Sequence, residues 1–255
     1  MKLGIIGVGH LAEAIITGLL RAGTAREAIL LAPRGKGPAL GRRHGLPLCA
    51  DNADVVSRSD AVLLAVRPDA AVAAVQGLPF RAGQPLLSAC AGVTRASLAA
   101  AAPAAAVVRI MPITAASLGA SPTLVHPATP AVTALLERIG TVVALEHEDQ
   151  FEVATVSAAV YGWAQDLIAT CAGFAVRNGM DPAAARELTA RTFVAAGRMI
   201  SEQDAPIDEL IRTLATPGGI TEAGLNTLAA RGAGEAWEEA CAVVLARLRP
   251  KPGES

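Results

Sequence analysis

Lysine is almost missing from this chain: Lys2, Lys36 and Lys251 are the only three in 255 residues. The basic side chains are mostly arginine, and 22 of them against 23 acidic ones leave a formal net charge of −1. Aromatic residues are equally scarce, at 3%. A chain with no basic stripe and no interleaved aromatics is not built to hold nucleic acid. No apolar run is long enough to span a bilayer, and the N-terminus lacks the charged-then-apolar plan of a signal peptide. The expectation is therefore a cytoplasmic protein with no leader and no membrane partner. Cys49, Cys90, Cys171 and Cys241 stand far apart, with no C-x-x-C pair and no nearby histidine pair. That spacing predicts no metal site and four reduced thiols, acting as small apolar residues.

What the chain does have is concentrated at its start. Met1 to Ile6 is a short apolar run that reads as a buried strand, and Gly7, Gly9 and Ala12 follow at G-x-G-x-x-A spacing. Ile15, Ile16, Leu19 and Leu20 then keep a helical period. Each small residue has a task in binding a dinucleotide. Gly7 permits the tight strand-to-helix turn, Gly9 leaves the backbone open to a pyrophosphate, and Ala12 lets the helix pack close to the strand. The helix start offers unpaired N–H groups to the phosphates.

The next strand, Ala28 to Ala32, ends without a carboxylate, and Pro33, Arg34, Gly35 and Lys36 follow. A carboxylate there would bind the adenosine ribose of NAD and repel a 2′-phosphate. Its absence, with two cations close behind, predicts NADP, with Arg34 as the phosphate clamp and Lys36 in support. Further buried strands are expected at Ala61–Val66, Pro85–Cys90, Val107–Met111 and Thr141–Leu145. Helical crossovers are expected at Ala70–Val75, Arg95–Ala102 and Thr133–Ile139. The C-terminal ends of the first three strands are where ribose and nicotinamide are expected.

From about Glu148 the strand patterns stop and alanine-rich helical stretches take over. Asp149 to Asn178 is apolar almost all round, which predicts burial on every side. So lipophilic a helical half buries itself by packing on a second copy, and a homodimer, or a higher assembly of dimers, is expected. The plan is α/β: a Rossmann-type dinucleotide-binding domain over residues 1–147 and an all-α dimerisation domain over 148–249. Residues 250–255 read as a disordered tail.

Together these stretches resemble the pyrroline-5-carboxylate reductase family over nearly the whole chain. The opening GIIGVGHLAEAIITGLL is similar to the family's glycine loop and first helix. Asp51-Asn52, Ala65 to Pro68, Ser88 to Thr94 (SACAGVT) and Val108 to Thr114 (VRIMPIT) follow in the family's order. Thr216 to Leu225, TPGGITEAGL, resembles its substrate loop. The resemblance implies that Gly9, His10, Leu11, Asn52, Ala65, Val66, Pro68, Ala89 and Ala91 contact NADP. It also implies that Gly218, Gly219 and Thr221 hold a cyclic imine carboxylate, with Thr221 the catalytic residue. Family dimers are intertwined through the helical half, and the substrate loop reaches a cofactor on the partner subunit.

Such a reaction needs a hydride donor, a carboxylate clamp and a proton for nitrogen, but no strong base, because a protonated C=N is already electrophilic. Gly218 and Gly219, just before a helix start, are expected to present N–H groups to the carboxylate. Thr221 is expected to hydrogen-bond the ring nitrogen or a water that protonates it. The chain departs from the family at three places: His10 replaces asparagine, Ile113 replaces asparagine, and Val156 to Trp163 replaces a serine- and glycine-rich stretch. These leave open an imine of another ring, or a cofactor-binding homologue without activity. A hydroxyacid-type dehydrogenase fits poorly, since that chemistry uses a lysine of the helical half and none stands between Lys36 and Lys251.

Overall fold

The computed structural model describes residues 1–249; the expected tail at 250–255 lies outside the described residues. The described residues divide into two compact units, Ala159–Ala246 forming one and Met1–Ala158, with the residues from Arg247 to Arg249, the other.

The first unit is built from β1 (Leu3–Ile6), α1 (His10–Arg21), β2 (Ile29–Leu31), α2 (Gly37–His44), α3 (Asn52–Arg58) and β3 (Ala61–Leu64). It continues with α4 (Ala71–Val75), β4 (Gln84–Ser88), α5 (Arg95–Ala101), β5 (Ala105–Met111), β6 (Thr123–His126), α6 (Pro130–Leu136) and β7 (Val142–Ala144). The seven strands form one sheet in the order β2-β1-β3-β4-β5-β6-β7. All neighbours are parallel except β5 and β6. β1 thus lies between β2 and β3, and the strand order reverses there. A crevice outside the carboxyl ends at such a reversal is the usual ligand site of an open α/β sheet.

Strand alternation sorts the core into two layers. Ile5, Leu63, Leu87, Val108 and Ile110 pack with Ile15, Ile16 and Leu19 of α1 and Val132 and Leu136 of α6. Ile6, Val62, Leu64, Leu86 and Val107 pack on the other face with Val55 and Val56 of α3, Val75 of α4 and Leu98 of α5. β6 was not expected from the sequence. Thr123–His126 is four residues bracketed by Pro122 and Pro127, too short for a periodic signal, and it joins β5 antiparallel. α2 and α3 were also unforeseen, although Asp51 marks the start of α3 by accepting the Asp54 N–H at 2.8 Å.

The helical elements are α7 (Phe151–Arg177), α8 (Pro182–Ser201), α9 (Ile207–Leu214), α10 (Ile220–Ala230) and α11 (Ala233–Leu248). Asp181 caps α8 by accepting the Ala184 N–H at 3.0 Å, with Pro182 in its first turn. Burial on every side of α7 is not found in the single chain. Only Phe151, Thr155 and Val156 of that helix are buried, and Phe174 is 63% exposed. Val194, Met199, Leu214 and Leu228 on the later helices are more than half exposed too. The apolar surface inferred from sequence is present, but one copy of the chain does not cover it. Among the described residues no helix is long and apolar enough to cross a membrane.

Candidate active site

The turn between β1 and α1 sets the geometry of the cleft. Gly7 has φ +89°, and a Cβ there would lie 2.5 Å from the Val66 nitrogen and 2.6 Å from the Ala65 carbonyl carbon. A side chain would therefore push β1 off the end of β3, so glycine is demanded by the fold itself. Gly9 differs. Its backbone is extended, and a Cβ there meets nothing within 4 Å. Nothing inside the chain requires glycine at that position, as expected if the space above it is kept for a ligand. Gly9 also begins α1, and no side chain caps the helix start. His10 is exposed at the first helical position and Leu11 is half-buried.

β2 carries the chain to Ala32, which is buried, and then into the turn holding Arg34 and Lys36. The two cations have separate fates. The Lys36 ammonium sits 2.5 Å from the Glu13 carboxylate of α1, which also binds Arg43 at 3.1 Å. The hydrogen bond and charge of Lys36, reinforced by Arg43, hold the Glu13 carboxyl below its ordinary range. Arg34 makes no ion pair or side-chain hydrogen bond among the described residues. It lines two adjoining depressions. One is shared with Gly7, Ala32, Asn52, Val66 and Ala74, the other with Pro33, Ala50, Asp51 and Asn52. Asn52 is held in place by donating to the Ala74 carbonyl at 3.3 Å.

Gly7, Arg34, Asn52 and Val66 are thus brought together at the strand reversal, with Ala65 directly behind Gly7. Pro68 opens a short exposed turn after β3. Ala89 and Ala91 stand one strand further on, past the end of β4, and line neither depression. Ala89 is buried, and its N–H donates to the Leu64 carbonyl at 2.9 Å. An open backbone at Gly9, an unpaired guanidinium and no carboxylate at the end of β2 together fit a 2′-phosphorylated dinucleotide.

The substrate loop lies in the helical unit. Gly218 takes φ +74° and Gly219 begins α10. Both amides that the sequence offered as carboxylate donors are occupied in this structure. The Gly218 N–H donates to Glu222 Oε2 at 2.7 Å, and the Gly219 N–H donates to the Thr216 carbonyl at 2.8 Å. Glu222, three residues into the helix, reaches back to the loop much as the acid of a capping box does. Among the described residues the N–H groups of Ile220 and Thr221 have no backbone partner, and Thr221 is exposed. Glu222 was not singled out from the sequence, although an acid at that position after a helix start is a legible capping signal.

Known proteins resemble both halves of the chain. A pyrroline-5-carboxylate reductase dimerisation model matches residues 148–250, and an NADP oxidoreductase, coenzyme F420-dependent, model matches residues 2–92. Pyrroline-5-carboxylate reductase 2 of Bacillus subtilis (strain 168) is 28% identical over 89% of this chain and 86% of its own length. The Methanosarcina acetivorans pyrroline-5-carboxylate reductase is 28% identical over 98% of this chain and 97% of its own. Over nearly its whole length this chain is similar to pyrroline-5-carboxylate reductases, and its helical half matches that family's dimerisation model. Two solved structures share the fold. The 1-pyrroline-5-carboxylate reductase of Streptococcus pyogenes has a TM-score of 0.83 at 24% identity, covering 98% of each chain. The Plasmodium falciparum pyrroline carboxylate reductase with NADP bound has a TM-score of 0.85 at 20% identity, covering 98% of this chain and 97% of its own.

The departures from the family's pattern have local explanations. Ile113 uses its backbone, donating its N–H to Ser121 Oγ at 2.9 Å and so fixing the turn after β5. Val156 is buried, and Trp163 meets the Trp237 ring edge-to-face at 5.8 Å, so apolar packing stands where the family has small polar residues.

Proposed function

We propose that the chain reduces a cyclic imine carboxylate to the corresponding cyclic amino acid with NADPH, 1-pyrroline-5-carboxylate to proline being the leading case. The chain is an NADP-dependent oxidoreductase acting on a C=N bond. The observation that carries the cofactor assignment is Arg34, a cation with no partner among the described residues, beside Gly7 and Asn52 where the strand order reverses. The names of the relatives support the five-membered ring, and at 28% identity that ring is the part most in need of testing.

Bound NADPH supplies the hydride that reduces the imine carbon. The chain's own residues hold and orient. Gly9 and the start of α1 receive the pyrophosphate, and Arg34 binds the 2′-phosphate with Asn52 beside it. Lys36, held by Glu13, contributes charge at longer range. The ends of β3 and β4, with Ala65, Val66, Ala89 and Ala91, wall the nicotinamide end. In the substrate loop the Ile220 and Thr221 amides receive the carboxylate first. The Gly218 amide joins them once Glu222 lets it go. The Thr221 hydroxyl positions the imine nitrogen and the water that keeps it protonated.

The helical unit supplies the homodimer face, its exposed apolar side chains packing on the same surface of a second copy. Four free cysteines fit a reducing cytoplasm. A spectrophotometric panel of five- and six-membered cyclic imines, following NADPH oxidation, tests the reaction. Turnover confined to a six-membered ring would move the assignment to that substrate. Tight NADPH binding with no turnover on any imine would instead make the chain a non-catalytic homologue.

A further inference from the structure

Arg109 is the largest fully buried side chain among the described residues, and it belongs to neither the cofactor cleft nor the substrate loop. It lies on β5, two residues before the strand ends at Met111. Its Nη2 sits 2.5 Å from Glu152 Oε1 in the first turn of α7, and its Nη1 sits 3.4 Å from Glu148 Oε1 just before that helix. The guanidinium carbon stacks 4.1 Å from the Phe151 ring centroid. A buried guanidinium must be paired on both sides to be tolerated, and here two carboxylates and a ring supply that.

The two carboxylates have different further contacts. Glu152 closes the pair with Arg109. Glu148 reaches a second element: its Oε1 also accepts the Arg95 N–H at 2.8 Å, and its Oε2 stands 3.8 Å from the Arg95 guanidinium. Arg95 is the first residue of α5 and directly follows the Ala89–Thr94 segment, whose Ala91 packs against the Met111, Leu124 and Phe151 cluster. Glu148 therefore bridges the buried Arg109 and Arg95, the residue at the end of the Ala89–Thr94 segment.

We propose that Glu148 is a positioning residue for hydride transfer: anchored by Arg109, it fixes Arg95 and through it the wall formed by Ala89 and Ala91. This rests on the cofactor reading given above. A merely structural role makes the tighter Arg109–Glu152 contact the important one for both stability and rate. A positioning role separates the two, because Glu148, unlike Glu152, bonds Arg95, the residue that follows the Ala89–Thr94 segment.

The test compares Glu148→Gln with Glu152→Gln in the full chain, since both side chains lie at the cluster's edge and the buried arginine is kept. With saturating NADPH and imine, Glu148→Gln is expected to lower kcat on the order of tenfold to a hundredfold, the usual consequence of a displaced reacting group. Its NADPH Kd stays within about threefold, because the phosphate contacts are remote. With NADPH deuterated at the transferred position, its isotope effect on kcat rises as hydride transfer becomes limiting. Glu152→Gln is expected to show the larger fall in Tm, with kcat within about threefold and the isotope effect of the unaltered protein. Equal kcat losses that track Tm in both variants, or an unchanged kcat in Glu148→Gln, would overturn the proposal alone. Failure of the unaltered protein to bind NADPH would remove the cofactor reading, and the proposal with it.

Discussion

The Lys36 ammonium rests on the Glu13 carboxylate at 2.5 Å, which leaves Arg34, two residues earlier, as the cation in that turn open to a ligand. The two positive charges that the sequence places side by side are thus unequal. Arg34→Ala is expected to weaken NADPH binding on the order of tenfold to a hundredfold, the worth of a charge-assisted hydrogen bond. It leaves NADH binding nearly unchanged. Lys36→Ala costs NADPH binding less than Arg34→Ala does. Fluorescence titration with both reduced cofactors measures all of this, and equal losses for NADH and NADPH would remove the 2′-phosphate assignment.

The same ion pair gives the protein a component of acid sensitivity. The Glu13 carboxyl is depressed by Lys36 and Arg43 in the folded chain, so its stabilisation is complete above the ordinary carboxylate range. It is lost as pH falls through that range toward the lowered folded value. Denaturant midpoints of the unaltered protein and Glu13→Gln are therefore expected to differ most near neutral pH and to converge in acid. A gap that widens on acidification would contradict the pairing.

Thr221 stands in the second position of α10, and its hydroxyl caps nothing, since Gly219 begins the helix without a side-chain cap. Thr221→Ala is accordingly expected to leave Tm almost unchanged, because alanine is the better helix former. If the hydroxyl positions the imine, kcat/KM falls on the order of tenfold to a hundredfold with NADPH binding intact, and Thr221→Ser restores much of it. Glu222→Gln weakens the internal claim on the Gly218 amide, because a neutral acceptor binds an N–H less strongly than a carboxylate does. It is expected to lower the KM for the imine acid. A raised KM would mean that Glu222 supports the loop and does not compete with the substrate.

The apolar side chains of α7 to α10 predict the assembly. Phe174, Val194, Met199 and Leu228 are each more than half exposed in one chain, on helices matched by a dimerisation model. Sedimentation at low micromolar concentration is expected to show a dimer and no monomer. Phe174→Asp is expected to dissociate it, since a carboxylate there would be buried unpaired. A compact monomer of the unaltered chain would remove both the interface and the shared site.

The cofactor half was legible because its requirements are local. Gly7 must take a positive φ against Val66, Ala32 must not be acidic, and both conditions leave their mark on single positions. The strands at β1, β3, β4 and β5 were found within a few residues because burial on both faces makes them continuous apolar runs. β6 escaped notice because four residues between prolines carry no period. The partner choices were less legible still. That Lys36 faces Glu13, that Glu222 occupies the Gly218 amide, and that Arg109 holds Glu148 depend on turns and packing that bring distant residues together. The helical half showed its composition but not its exposure, since an apolar helix reads alike whether its own chain or a second copy covers it.

The edge-to-face contact of Trp163 with Trp237 has a practical consequence. These are the chain's two tryptophans, its single tyrosine is Tyr161, and all three belong to the helical unit. The sheet unit is spectroscopically silent in the near ultraviolet apart from phenylalanine. Intrinsic emission thus follows the helices alone, while far-ultraviolet dichroism follows both units. Denaturation curves recorded by the two methods on one sample report whether the units melt as one cooperative body or in sequence, with no label attached.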